Sequence, residues 1–351
     1  MTRVTLLTEI PAPYRIPLFN ALAERVDLHV LFLRKRNPDR PYDLHADELR
    51  FEWSVLPGTD VTVRGRWLVV NRGVTRALRG SGAVVVGGWN QPAFWTALSW
   101  CRLRRVPAIL WSESTGTDRR SGRHDWLKRP MVRVPAAFVV PGTAARAYLE
   151  RLGVAAGRIT VAPNAVDPAI FGSARRSRAD GAVRLLAVGR LAPEKGIDTL
   201  LRAADGLPVD VVLAGTGPEE ERLRELAGPN VRFLGNVARD ELPALYADAD
   251  ALVLPSRSEP WGMTLNEAAL AGLPLVATTA AGGAWELIED GVNGFRIPAD
   301  DPAALRAALQ RLVADADFRQ AAGRRSREIA ARFTPEAWAN AVAAAVEGVQ
   351  R

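Results

Sequence analysis

The sequence predicts an α/β protein built from two parallel-sheet domains, and three observations carry the prediction. Short apolar runs alternate with longer helical patterns along most of the chain, the order produced by repeated strand–helix units. A polar, unpatterned stretch at 172–181, made of Gly, Ser, Ala, Arg and Asp, has linker composition and divides the chain near residue 175. With 351 residues, 48% hydrophobic and 24% charged, the chain has length enough for two cores.

In the first domain, 1–175, short apolar runs predict strands at 4–8, 28–33, 83–86, 108–112 and 137–140. The second, 176–334, restarts at 183–188 and continues with apolar runs at 209–213 and 251–254, while 230–237 reads as a strand and turn. Residues 264–271 have helical composition. After Pro302 the chain is helical, ending in an alanine-rich helix over about 335–349.

Composition excludes several classes. Cys101 is the single cysteine, so no internal disulfide forms, and His29, His45 and His124 are too few for a zinc cluster. Glu9 and the nearby prolines interrupt the apolar core that a signal peptide needs, and no apolar run approaches a membrane span, so the expectation is a cytoplasmic protein. Charge is split: residues 1–170 carry 25 Lys+Arg against 14 Asp+Glu, a net +11, and 171–351 carry 21 against 25, a net −4. Nucleic acid explains this poorly, because the cations are dispersed, are not interleaved with aromatics and accompany no binding signature. No G-x-G-x-x-G follows a strand, and 189–196 lacks the ending of a P-loop. Asp248-Ala249-Asp250 and Asp315-Ala316-Asp317 imitate a metal-binding pair, but Asp250 opens a strand and Asp315 lies in a helical pattern, so no metal site is expected.

Four segments carry chemistry. Glu259-Pro260-Trp261-Gly262-Met263-Thr264-Leu265-Asn266-Glu267 follows an apolar strand and opens a helix, which places Glu259 in the loop and Glu267 within the helix. Backbone amides of Gly262, Met263, Thr264 and Leu265 are expected to lie unpaired at the helix start, where an anion is favoured. A carboxylate accepts two hydroxyls, so Glu259 suits a sugar and Glu267 a ribose diol; a loop acid plus a first-turn acid answering the helix dipole is the plainer alternative. The second segment, Gly189-Arg190-Leu191-Ala192-Pro193-Glu194-Lys195-Gly196, offers two cations at another strand-to-helix junction. Only three of the 46 basic residues are lysines, so Lys195 stands out as a compact charge for a diphosphate whose other oxygens Arg190 would take in a fork. Gly215-Thr216-Gly217 is a glycine turn that lets backbone approach a ligand. Asn230 to Val237 ends in a turn whose amides would read a base edge.

In order and spacing these segments resemble the C-terminal half of retaining GT-B glycosyltransferases of the family 4 type, the group that includes sucrose-phosphate synthase and mannosyltransferases of lipid assembly. The likeness covers about 185–294, with weaker echoes at 143–152 and 161–167. It implies two Rossmann-like domains facing across a cleft that holds the site, with a last helix, 335–351, crossing back to the first. It also implies that Arg190 and Lys195 bind the donor diphosphate, Glu267 holds the ribose, and Glu259 touches the transferred sugar. Gly189 and Gly215 would border the donor, the amides of 262–265 would meet sugar and phosphate, and Asn236 and Val237 would lie beside the base. No cofactor is implied beyond a nucleoside-diphosphate sugar as co-substrate.

The first domain departs from the family pattern. Where many relatives have a glycine-rich loop, Glu9-Ile10-Pro11-Ala12-Pro13-Tyr14-Arg15 stands here, and Tyr14 and Arg15 are candidates to face donor phosphate or acceptor. Where many relatives place a histidine, the loop Trp111-Ser112-Glu113-Ser114-Thr115-Gly116 makes Glu113 the nearest ionisable group, for binding or proton handling; a carboxylate merely satisfied by neighbouring amides is the alternative. Gly87-Gly88-Trp89-Asn90 is a candidate acceptor wall, with Trp89 as a stacking face; a packed loop tryptophan is the alternative. The basic first domain points to an acidic acceptor or to peripheral contact with an anionic membrane on its inner face, through Arg34, Lys35, Arg36 and the Arg119, Arg120, Arg123, Lys128, Arg129 cluster. Arginine enrichment from composition alone is the competing reading.

The function read from the sequence is a retaining, metal-independent hexosyl transfer from a UDP- or GDP-sugar to a hydroxyl on a glycan, lipid-linked glycan or small molecule. The catalytic candidates are Glu259, Arg190, Lys195 and Glu113. Two alternatives come from other classes, a nucleotide-sugar epimerase of the same fold and a non-catalytic nucleotide-sugar-binding protein.

Overall fold

The computed structural model describes residues 3–37, 46–63, 66–116, 125–129, 131–172 and 181–350. The core of the expected linker, 173–180, lies outside them, as do Arg119, Arg120, Arg123 and His45. The described residues form two compact units. One holds the chain up to Gly116, the stretch from Asp125 to Ala165 and the last helix, Pro335–Gly348; the other runs from Val166 to Thr334.

The first unit is built on nine strands: β1 (Arg3–Thr8), β2 (Asp27–Phe32), β3 (Glu52–Val55), β4 (Gly58–Val63), β5 (Arg66–Asn71), β6 (Ala83–Val86), β7 (Ala108–Trp111), β8 (Ala137–Val140) and β9 (Ile159–Val161). Seven of them make one sheet in the order β3-β2-β1-β6-β7-β8-β9, all parallel. The second unit has β10 (Val183–Val188), β11 (Val209–Ala214), β12 (Val231–Gly235), β13 (Ala251–Leu254), β14 (Leu275–Thr278) and β15 (Gly294–Ile297), in the order β12-β11-β10-β13-β14-β15, again parallel. This is the expected pair of Rossmann-like domains.

Central strands are buried along their whole length: β6, β7, β13 and β14 have no exposed residue. That is why they read in the sequence as continuous apolar runs and not as alternating ones. Strand order reverses between β1 and β6 in one unit and between β10 and β13 in the other. At such a reversal the loops leaving the two carboxyl ends diverge and open a crevice, the place where ligands bind in sheets of this kind. Both E-P-W-G and G-R-L-A-P-E-K segments leave strands that flank the second reversal.

Several strands were not expected. β4 is largely exposed and β3 mostly half-buried, so both lack an apolar run, and β9 is only three residues long. β4 and β5 form a separate antiparallel hairpin on the edge of the first unit. Its inward face is pinned by Asn71 Nδ2, which donates to Leu33 O at 2.7 Å, by Val69 N donating to Gln91 Oε1 at 3.0 Å, and by Asp60, 2.8 Å from Arg34. Arg34 is 6% exposed and also pairs with Glu9. It is therefore a buried anchor of the hairpin and not one of the surface cations it was grouped with. The last helix packs on this unit: Trp338 is fully buried, 5.2 Å from the Trp111 ring and 6.0 Å from Phe19.

Candidate active site

In the second unit the loops after β10, β11 and β13 are locked together by backbone. A Cβ on Gly215 would lie 2.0 Å from Gly189 O, and one on Gly196 would lie 2.2 Å from Pro255 O, so glycine is the residue that lets these loops meet. Gly215 N also donates to Gly235 O at 2.7 Å, which brings the exposed Asn236 and half-buried Val237 turn beside the glycine turn. Glu194 O accepts the amides of Arg257 at 2.8 Å and Ser258 at 3.3 Å, tying the loop after β10 to the loop after β13. Across that junction Lys195 Nζ donates to Glu259 Oε2, with the two side chains 23% and 14% exposed. Arg190, half exposed, pairs with Glu194 at 3.0 Å instead of reaching this pair. Lys195, Gly189, Arg190 and Leu191 line a shallow pocket with Leu254 and Pro255.

Gly262, with φ +94°, turns the chain into the helix Met263–Ala271. Leu265 N donates back to Gly262 O at 2.9 Å, so it is not among the open amides at this helix start; the expected set of four shrinks by one. Thr264 Oγ1, in the same first turn, is buried and has no hydrogen-bond partner among the described residues. One turn on, Glu267 Oε2 accepts the hydroxyl of the fully buried Tyr246 at 2.5 Å. Burial pushes the Glu267 carboxyl above its usual range, against the opposing pull of the Tyr246 hydroxyl and the Arg239 charge. The two carboxylates of this segment thus have different partners, a lysine for Glu259 and a phenol for Glu267.

In the first unit, side chains gather the loops at the carboxyl ends of β1, β7 and β9. Arg15 donates to Glu113 Oε1 at 3.2 Å and to Thr8 Oγ1 at 3.1 Å, and its guanidinium lies 4.5 Å from the centre of the Trp111 ring. Asn164 Nδ2 donates to the same Glu113 oxygen at 3.2 Å. Tyr14 lies beside Arg15, 5.7 Å from its guanidinium carbon to the ring centre. Trp89 is half-buried, edge-on to Tyr148 at 6.5 Å with Lys128 Nζ over it at 5.6 Å, while Asn90 is exposed. Lys128 also donates to Tyr148 Oη at 2.6 Å, so of its expected cluster this residue is built into the fold. The acid pairs that imitate a metal motif have structural partners: Asp250 accepts Arg184 N at 2.7 Å, and Asp315 caps the helix Ala316–Ala330 through Phe318 N at 2.8 Å.

Family models match both units, Glycosyltransferase Family 4 over residues 18–170 and Glycosyl transferases group 1 over 173–329. The chain belongs to the family 4 type of GT-B glycosyltransferases. Among curated relatives, glycogen synthase of Mycobacterium tuberculosis is 36% identical over 197 residues, 53% of this chain and 47% of that protein. D-inositol 3-phosphate glycosyltransferase of Salinispora arenicola is 32% identical over 281 residues, 70% of this chain and 61% of that one. The chain spans about half the length of the first of these and somewhat more of the second. Anabaena HepE, solved in complex with UDP, shares the fold with a TM-score of 0.78 at 20% identity, over 99% of this chain and all of that one.

The family 4 segments hold residues that sequence reasoning passed over. Arg257 reaches Asp198 at 2.9 Å, Asp300 at 2.5 Å and Pro193 O at 2.6 Å, clamping the two site loops from behind. Burial would raise the Asp198 carboxyl, but Arg257, Arg202 and Arg222 outweigh it and hold it below its usual range. The only signal was a lone arginine before Glu259 and an aspartate after Gly196, both of which read as ordinary surface charge.

Proposed function

We propose that this chain transfers a sugar from a nucleoside-diphosphate donor to an acceptor hydroxyl, with retention at the anomeric carbon and without a metal. The observation that carries the reading is the Lys195–Glu259 pair at the second strand-order reversal, with Glu267 in the helix that follows. Lys195 is the cation for the leaving diphosphate. Arg190 is on the same loop and reaches it by exchanging Glu194 for a phosphate oxygen. Developing negative charge is offset by fixed cations and by the amides of Gly262, Met263 and Thr264, which need no reorganisation as the bond breaks.

Glu259 is the contact to the transferred sugar and Glu267 to the ribose diol, with Gly189, Gly215, Asn236 and Val237 around the donor. In the first unit, Tyr14, Arg15, Trp89, Asn90 and Glu113 are the acceptor candidates. Glu113 is held by Arg15 and Asn164, which favours a binding role over that of a nucleophile in a double displacement. Retention would then follow front-face attack, with a donor phosphate oxygen taking the acceptor proton. Relatives named as glycogen synthase and inositol phosphate glycosyltransferase, and a fold neighbour solved with UDP, support a nucleotide-sugar donor and a glycan or small-molecule acceptor.

Thermal stabilisation across UDP, GDP, ADP and TDP names the base, because a ligand that binds the native state raises the transition by mass action. One nucleotide should stand out. Stabilisation by none of them removes the donor-site assignment. Incubating the sugar donor without acceptor separates an epimerase, which converts it, from a transferase, and anomeric NMR of an early product reports retention.

A further inference from the structure

The hairpin of the first unit presents an apolar face that the fold leaves partly exposed, Val63 and Val70 about half and Val61 and Leu68 less. In the antiparallel pairing, Val61 lies opposite Leu68 and Thr59 opposite Val70, and opposed residues share a face. Asp60, Val69 and Asn71 occupy the inward face, where they bond to Arg34, Gln91 and Leu33. Val61, Val63, Leu68 and Val70 therefore point outward, with Val63 48% and Val70 50% exposed. Trp67, opposite Thr62, shares the inward face with Asp60 and Val69 and is no part of this patch. Exposed cations bracket the base: Lys35 follows the Arg34 anchor, and Arg72 directly follows β5, its amide held at 2.8 Å by Pro57 O.

We propose that this hairpin is the element by which the protein docks on an anionic lipid surface. The exposed patch, on the order of a few hundred Å², is within what a monomer exposes at a functional site and well short of the roughly 800 Å² per partner that a stable dimer buries. Shallow insertion of a few valines and a leucine needs no larger area when cations at the rim meet lipid headgroups. The net +11 of residues 1–170 points the same way. The docking element differs from the surface that charge alone indicates, because Arg34 and Lys128 are committed to internal partners.

The test is co-sedimentation of the full chain with phosphatidylcholine vesicles, with and without about a third phosphatidylglycerol. The wild-type protein should partition at least tenfold more strongly onto the anionic vesicles, and should release as salt shortens the Debye length below roughly 8 Å. Val63→Glu with Val70→Glu should reduce partition at least tenfold, and so should Lys35→Glu with Arg72→Glu, each with its nucleotide-dependent thermal shift intact. Val63→Ser with Val70→Ser is the milder pair if the first unfolds. Equal partition onto neutral and anionic vesicles, or wild-type partition by the face variants, overturns the proposal. So does a concentration-dependent dimer that the face variants dissociate, because a second copy would then be the occupant.

Discussion

The two units solve one architectural problem in different ways. Each must hold together loops at the carboxyl ends of strands on the two sides of a reversal of strand order. The second does it with backbone: glycines at 196 and 215 let loops approach to carbonyl contact, and Glu194 O takes two amides from the loop across the reversal. The first does it with side chains brought from far along the sequence, Arg15 to Glu113 across 98 positions and Asn164 to Glu113 across 51. Backbone locking constrains residue type at each position, since no side chain replaces a glycine there, whereas side-chain locking only requires that some donor meet some acceptor. The loops of the second unit therefore admit few residue types at those glycines, whereas side-chain locking leaves a wider choice in the first.

The strongest test of this contrast is catalytic. Lys195→Ala should lower turnover by about 10²–10³, the usual loss when one preorganised group facing a developing charge is removed. Arg15→Ala should cost about tenfold, because its guanidinium is shared among Glu113, Thr8 and Trp111. Steady-state kinetics on folded variants compares them, and equal losses would erase the distinction between the units.

Next in size is stability. Gly215→Ala puts a Cβ 2.0 Å from Gly189 O at a φ of +137° and should destabilise the second unit by about 3 kcal/mol. Gly153→Ala, also at positive φ but with open space around it, should cost only about 1 kcal/mol. Urea unfolding of the two variants reads the difference. A Gly215→Ala protein as stable as wild type would mean the loops relax freely, and backbone locking would lose its meaning.

The same contrast explains what the sequence disclosed. The motif residues of the second unit are close in sequence to the glycines and strands that position them, so Lys195, Glu259 and Glu267 stand out in the sequence as candidates. So do the buried strands that carry them, as continuous apolar runs. Their supports do not: Arg257 meets Asp198 only through 59 positions of intervening chain. Nothing local distinguishes an arginine with a buried aspartate from one in solvent. In the first unit β4 is exposed and carries no apolar run, so the apolar run of β5 has no visible partner strand, and Arg34 reads as a surface cation because its partners Glu9 and Asp60 are 25 and 26 positions away. The extra ionic link between Lys195 and Glu259 was equally hidden, although both residues had been picked out separately.

A smaller effect is expected at Glu113. Glu113→Gln keeps the shape of the side chain but removes the counterion of Arg15 in a partly exposed pair, 16% and 29% accessible. The cost should be about 1 kcal/mol, discounted for solvent screening. If Glu113 were a nucleophile, the same variant would abolish turnover and trap no glycosyl-enzyme. A mild loss of acceptor affinity with turnover largely kept supports the binding role.

The finest test uses pH and belongs to the second unit. The Glu267 carboxyl is raised above its ordinary 4.5 by burial, so folding favours its protonated form. Its contribution to stability is then unfavourable once it ionises and improves as pH falls through the raised folded value. Donor affinity should run the other way, because protonation removes a charged acceptor for the ribose hydroxyls. Nucleoside-diphosphate binding should therefore weaken on the acid side, beginning above pH 4.5, and Glu267→Gln should flatten that limb. Tyr246→Phe deletes the 2.5 Å hydrogen bond that favours the ionised form, so the limb should move to higher pH, with affinity at neutral pH reduced about threefold. Calorimetric titration from pH 5 to 8 separates the two variants. An acid limb that stays where it is in Tyr246→Phe would show that the phenol does not set the charge of Glu267, and an acid limb that survives Glu267→Gln would move the titrating group out of this helix altogether.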